Sequence, residues 1–138
     1  MSKSIKLKNN TYWDSTSITH NKELLSTKVI NSSGSNSNGS WIKFEDGTMI
    51  CYKKISGTTN INLTWYSLYR ADVYIGLMPC EFVETPTITY SLTGEYILCG
   101  GSTTAPTKKN FGGVNLVRPN TFNGVYYEIN AIAIGKWK

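Results

Sequence analysis

Histidine occurs once in this sequence, as His20. Nucleophilic triads and most acid–base pairs need an imidazole held within hydrogen-bond reach of its partner. His20 precedes a run at 31–40 made only of Asn, Ser and Gly, so a triad would have to recruit it across a segment that reads as flexible. Cysteine is scarce as well. Cys51, Cys80 and Cys99 are odd in number and lack a Cys-x-x-Cys spacing, which argues against a complete disulfide framework and a zinc site and predicts free thiols. Cys51 and Cys99 fall within apolar strand patterns and are expected to be buried, with Cys80, beside Pro79, as the exception. No glycine-rich phosphate loop lies between a strand and a helix pattern, and no apolar run reaches membrane-spanning length. The first eight residues lack the uninterrupted apolar stretch of a signal peptide. These absences predict a protein that is not an enzyme, holds no metal or cofactor, does not insert into a membrane and is made in a reducing cytoplasm.

Charge is sparse, at 17% Asp, Glu, Lys and Arg, with a formal net charge of +5. The basic residues are scattered, and only Lys53-Lys54 and Lys108-Lys109 are adjacent pairs. That pattern does not match a nucleic-acid footprint. A glycosidase needs two carboxylates at a fixed separation. Asp72, Glu81, Glu84, Glu95 and Glu128 are available, and nothing in their spacing selects a pair.

What the sequence does contain is β pattern. At 138 residues the chain suits one domain. Three segments are expected: a short lead-in at 1–30, a flexible linker at 31–40 and a β domain at 41–138. The lead-in offers a strand over 5–13 and one or two helical turns over 20–29. Proteolysis is expected near Ser35, with 41–138 folding alone. Strands at 41–44 and 48–52 flank Glu45-Asp46-Gly47, where Asp-Gly suits a tight hairpin. Residues 85–92 alternate, with Ile88, Tyr90 and Leu92 on one face. Residues 125–134 place Val125, Tyr127, Ile129, Ala131 and Ala133 on one face and Tyr126, Glu128, Asn130, Ile132 and Ile134 on the other. The second half of that strand is apolar on both faces, which calls for a covering sheet or a partner subunit. Shorter strands are expected at 71–75, 95–99 and 114–118.

Aromatic residues gather in Leu63-Thr64-Trp65-Tyr66-Ser67-Leu68-Tyr69-Arg70, with Tyr74 nearby and Tyr126-Tyr127 later. Such rings are most often core or interface residues. The alternative is a sugar platform, on which the apolar face of a pyranose stacks while its hydroxyls meet polar groups.

Several segments in one order carry a family resemblance. Gly39-Ser40-Trp41-Ile42-Lys43-Phe44-Glu45-Asp46-Gly47-Thr48, Trp65-Tyr66-Ser67-Leu68-Tyr69, Phe82-Val83-Glu84-Thr85-Pro86-Thr87-Ile88, Leu116-Val117-Arg118-Pro119-Asn120 and Ile132-Ala133-Ile134-Gly135-Lys136-Trp137-Lys138 span the putative domain. Together they resemble the C-terminal receptor-binding heads of tail-fibre and minor structural proteins of phages and prophages of Gram-positive bacteria. Tyr66 departs from the family's usual Gly, and Tyr52 from its frequent Trp. The resemblance implies an all-β, antiparallel β-sandwich head, lectin-like and homotrimeric. It further implies a place on a virion tail or tailocin particle assembled in the host bacterial cytoplasm, beside other tail or baseplate proteins.

The function expected from these signals is attachment to a bacterial cell-surface glycan. Trp65, Tyr66, Tyr69, Arg70, Arg118 and Tyr126 are the candidate ligand-binding residues. A neutral sugar would stack on the rings, whereas an anionic teichoic acid would be drawn to Arg70, Lys108, Lys109 or Arg118. The alternatives are a structural trimerisation or capping module without its own receptor site and a cell-wall-degrading enzyme.

Overall fold

The computed structural model describes residues 29–101 and 104–138. Apart from Val29, the expected lead-in strand and helical turns lie outside these residues. The described chain is all β: β1 (Ile30–Asn36), β2 (Gly39–Phe44), β3 (Thr48–Ile61), β4 (Leu63–Trp65), β5 (Leu68–Tyr74), β6 (Thr87–Gly94), β7 (Leu98–Gly100), β8 (Gly113–Arg118) and β9 (Phe122–Lys136). Pairing is antiparallel throughout, in a five-stranded sheet of order β1-β2-β3-β9-β6 and a four-stranded sheet of order β4-β5-β8-β7.

The Asp-Gly signal forms the β2–β3 hairpin. Gly47 takes φ +91°, and the Asp46 carboxylate accepts the Thr48 N–H at 2.8 Å. Alternation on β6 and β9 then sets the core face. Cross-strand rows run through Trp41, Cys51, Ala133 and Ile88, and through Ile55, Ile129 and Leu92. Small Cys51 and Ala133 lie between the larger end residues of the first row. Against this face pack Ala71, Val73, Val114 and Leu116 of the second sheet, with Ile75, Met78, Phe82 and Phe111 from the connections. The Tyr90 hydroxyl donates to the Phe111 carbonyl at 2.7 Å, which gives a half-buried polar group its partner. At the end of the chain, Trp137 donates its indole N–H to the Phe44 carbonyl at 2.9 Å. The Lys43 and Lys138 ammoniums lie 5.0 and 4.9 Å from its ring centroid.

The segment 31–40 is a paired hairpin, not a linker. Ser33 pairs with Ile42, Gly34 with Trp41 and Asn36 with Gly39. Composition misleads here because the strand's apolar cover comes from its partner. The Trp41 ring lies over Gly34 so closely that a Cβ there would come within 2.7 Å of it. The turn is shaped by the Asn36 side-chain oxygen, which accepts the Asn38 N–H at 2.8 Å, and by Gly39 at φ +125°. The β domain therefore begins before Trp41. The strand expected at 95–99 is also shorter, since Glu95 and Tyr96 form a bend and β7 starts at Leu98.

The cysteines are free, but the burial order differs from expectation. Cys51 is buried on β3. Burial pushes its thiol up to about 12, while the nearby Cys80 backbone opposes the shift. Cys80 is half-buried, and Cys99 is exposed on β7, which is an edge strand among the described residues.

This packing has consequences for the β1–β2 hairpin and for the cysteines. Gly34→Val should lower unfolding free energy by about 1–2 kcal/mol in urea titration, because the new side chain displaces the Trp41 ring, whereas limited proteolysis of the wild-type protein should spare Ser35. In the folded protein, iodoacetamide should label Cys99 first and Cys51 only on unfolding. The unfolded Cys51 thiol ionises near 9.0 and the folded one near about 12. The folded state therefore keeps the proton longer, and stability should fall as pH rises through that window. Cys51→Ala should flatten this alkaline slope.

Candidate groove at the β6–β7 end

Strand register separates the two ends of the sandwich. At one end Thr48 pairs with Lys136, and Val29 accepts the Glu45 N–H at 2.9 Å. At the other, Ile61 pairs with Phe122 and Gly94 with Tyr127. With thirteen steps of about 3.4 Å along β3, the ends lie roughly 40 Å apart. Val29, the first described residue, lies at the first end. In the second sheet Tyr69 pairs with Arg118 and Leu98 with Val117, so the β4–β5 turn, the β6–β7 connection and the β8–β9 turn all gather at the second end.

That end holds a groove of about 590 Å³, lined by residues including Thr93, Glu95, Tyr96, Arg118, Phe122 and Tyr126. Local backbone chemistry opens it. Gly94 lies against the Ile97 side chain, where a Cβ would meet it at 2.4 Å. Tyr96 then adopts φ +55°, a left-handed conformation that costs a non-glycine residue about 1–2 kcal/mol. Its ring is 84% exposed. On the opposite wall, Gly124 takes φ +72° beside the register shift in the β3–β9 pairing, and its N–H donates to the Asn60 side chain at 2.9 Å.

The Arg118 guanidinium lies 4.5 Å from the Phe122 ring centroid. Its Nε is buried and meets no acceptor among the described residues. A desolvated donor without a partner costs about 1–3 kcal/mol, so this arrangement is not the one that local hydrogen bonding alone would favour. Glu95 is the acidic residue of the lining. A carboxylate, a guanidinium and three exposed rings are thus placed together.

Of the residues expected to bind ligand, Arg118 and Tyr126 line the groove. Trp65 and Tyr66 stand at the same end on the β4–β5 turn, outside the lining. Tyr69 packs against the core, and Arg70 forms an ion pair with Asp72 on the outer face. Lys108 sits 3.9 Å from Glu81, near the opposite end. Glu95, Tyr96 and Phe122 are additions that sequence reasoning missed. The signal available for Glu95 and Tyr96 was Gly94 directly before them, which marks a turn more readily than the strand expected at 95–99. Among the described residues no group of His, Cys, Asp and Glu could hold a metal ion.

No protein-family model matches the sequence. A search of curated proteins finds no significant match either. Among solved structures, the fold is similar to an N-truncated R1-type pyocin tail fibre, with a TM-score of 0.52 and 10% identity over 91% of this chain and 98% of that one. It is likewise similar to a P. aeruginosa R1 pyocin fibre comprising C-terminal residues 323–701, with a TM-score of 0.51 and 10% identity over 90% of this chain. The chain spans about a third of the latter's length, 32%. At this identity the likeness is one of fold, and it lends no support to a Gram-positive origin.

If Tyr96 serves the groove and not the fold, Tyr96→Gly should leave the melting temperature unchanged or raise it. Tyr69→Ala, which removes a ring packed on the core, should cost at least about 1 kcal/mol. Calorimetry of both variants checks this, and a large loss for Tyr96→Gly would assign its ring to the fold.

Proposed function

We propose that the chain is a receptor-binding domain of a phage tail fibre or tailocin and that its groove attaches the particle to a bacterial surface glycan. The observation that carries this reading is the groove's lining. A sugar presents an apolar ring face and hydroxyls that both donate and accept. Tyr96, Phe122 and Tyr126 suit the face, Glu95 accepts from hydroxyls, and Arg118 donates to them. The setting agrees, since the groove faces away from Val29 and the fold is similar to that of pyocin tail fibres.

The balance of Glu95 against Arg118 favours a neutral saccharide over teichoic acid, with only a minor contribution from the net charge. Adhesion without turnover is the simpler chemistry, because the lining offers one carboxylate where glycoside hydrolysis uses two. Single sites are expected to bind in the millimolar to micromolar range, about −4 to −8 kcal/mol. Several sites on one particle make such weak contacts sufficient.

A homotrimer would supply those sites, and one observation favours subunit contact. On the outer face of the five-stranded sheet, Ile50 pairs with Ile134 and Tyr52 with Ile132. Ile132 and Ile134 remain 42% and 49% exposed. A structural trimerisation module without a receptor site would use the same face, so binding separates the two readings.

Titration of a bacterial glycan array should give binding that changes little between low and high salt and falls about tenfold or more in Arg118→Ala and Tyr126→Ala. Strong loss of binding in salt would instead assign an anionic ligand. Absence of binding to every glycan of a susceptible host would favour the structural module. Sedimentation should show a trimer, reduced to monomer by Ile134→Lys.

A further inference from the structure

The β4–β5 turn carries a second aromatic surface outside the groove. Trp65 and Tyr66 stand edge to face with ring centroids 6.1 Å apart, and Tyr66 is 91% exposed. Tyr66 sits at φ +53° in the first central position of a two-residue turn, between paired Trp65 and Leu68. This is the turn position that glycine fills best, because it demands a left-handed backbone. A strained residue that also exposes a large ring contributes nothing to the core. Backbone strain of this kind clusters at ligand-contacting surfaces.

The sheet order relates this tip to the groove. Tyr66 precedes β5, Tyr96 closely precedes β7, and β8 with Arg118 lies between them. Two to three strand spacings of about 4.8 Å put the two tips roughly 10–14 Å apart. That is wider than one pyranose ring and suits a short run of them. Rings at both ends with a donor in the middle form a track instead of a pocket for one terminal sugar.

We propose that the ligand is an extended oligosaccharide, which occupies the groove between Tyr96 and Tyr126, passes Arg118 and packs a further sugar on the Trp65–Tyr66 tip. The proposal rests on the glycan reading of the groove and adds the ligand's length and the residues that measure it. Each added sugar gains contact until the tip is covered, after which further length adds nothing.

The test uses the full chain, a glycan array ranging from monosaccharides to long oligosaccharides of bacterial surfaces, and calorimetric titration with a length series of the best binder. Affinity is expected to rise with length and then level off. Tyr66→Gly should weaken the longest member about tenfold more than the monosaccharide, with an equal or higher melting temperature. Tyr126→Ala should weaken every length. Affinity independent of length, or a longest member unaffected by Tyr66→Gly while Tyr126→Ala abolishes binding, would overturn the track and leave the groove reading in place. Equal weakening of all lengths by Tyr66→Gly, with a lowered melting temperature, would assign Tyr66 a structural role and also overturn it. No binding to any glycan would overturn both readings together.

Discussion

The antiparallel pairing of β3 with β9, from Thr48 opposite Lys136 to Ile61 opposite Phe122, is the contact from which the other elements take position. β2 and β6 extend the sheet on either side of that pair, and its inner face supplies much of the core through Met49, Cys51, Ile129, Ala131 and Ala133. Alanines in the middle of β9 lower the sheet surface enough for Val73, Val114 and Leu116 to fill the space opposite. Register along the pair is set unevenly. In the second half of β9 both faces are apolar, so a slip of one residue would exchange Ala131 and Ala133 for Ile132 and Ile134 at little hydrophobic cost. In the first half the same slip would bury Tyr126, Glu128 and Asn130, and this polar set fixes the alignment.

The length of that pair also separates the two ends of the sandwich. Polar turns, Val29 and the Trp137 clasp occupy one end, while left-handed tyrosines and the Arg118–Phe122 stack occupy the other. The two ends differ in how closely sequence serves stability. At the first, each local choice agrees with the fold: Asp46-Gly47 makes the hairpin, and Trp137 satisfies the Phe44 carbonyl. At the second, Tyr66 and Tyr96 accept left-handed backbone, and Arg118 keeps a buried Nε without an acceptor among the described residues. Local rules broken together at one end of an otherwise consistent fold point to that end as the working surface.

Much of the architecture was legible in the sequence because strand alternation is a direct image of burial. The 41–52 hairpin, the β6 face and the two faces of β9 emerged from period and turn chemistry alone. β1 did not, since Asn, Ser and Gly form a strand only where a partner lends its backbone and an indole ring, as β2 does through Trp41. The second half of β3 was hidden for a related reason: Lys54, Ser56 and Thr58 are solvent-facing, and Gly57 leaves room for the Tyr127 ring in place of an apolar side chain. The site was half legible. Arg118 and Tyr126 could be chosen by residue type, but Glu95, Tyr96 and Phe122 join them only through sheet order, which no local pattern encodes. Tyr69 and Arg70 drew attention by lying within an aromatic cluster whose members strand alternation then sends to opposite faces.

The central claim is that recognition occurs in the groove at the β6–β7 end and not on the isoleucine face. Backbone amide chemical-shift mapping of the full chain, titrated with the surface glycan of a bacterium that the particle recognises, tests this directly. The account predicts that the largest changes fall at residues 93–96, 118 and 122–126. Changes centred on Ile50, Tyr52, Ile132 and Ile134 with an unperturbed groove would contradict it.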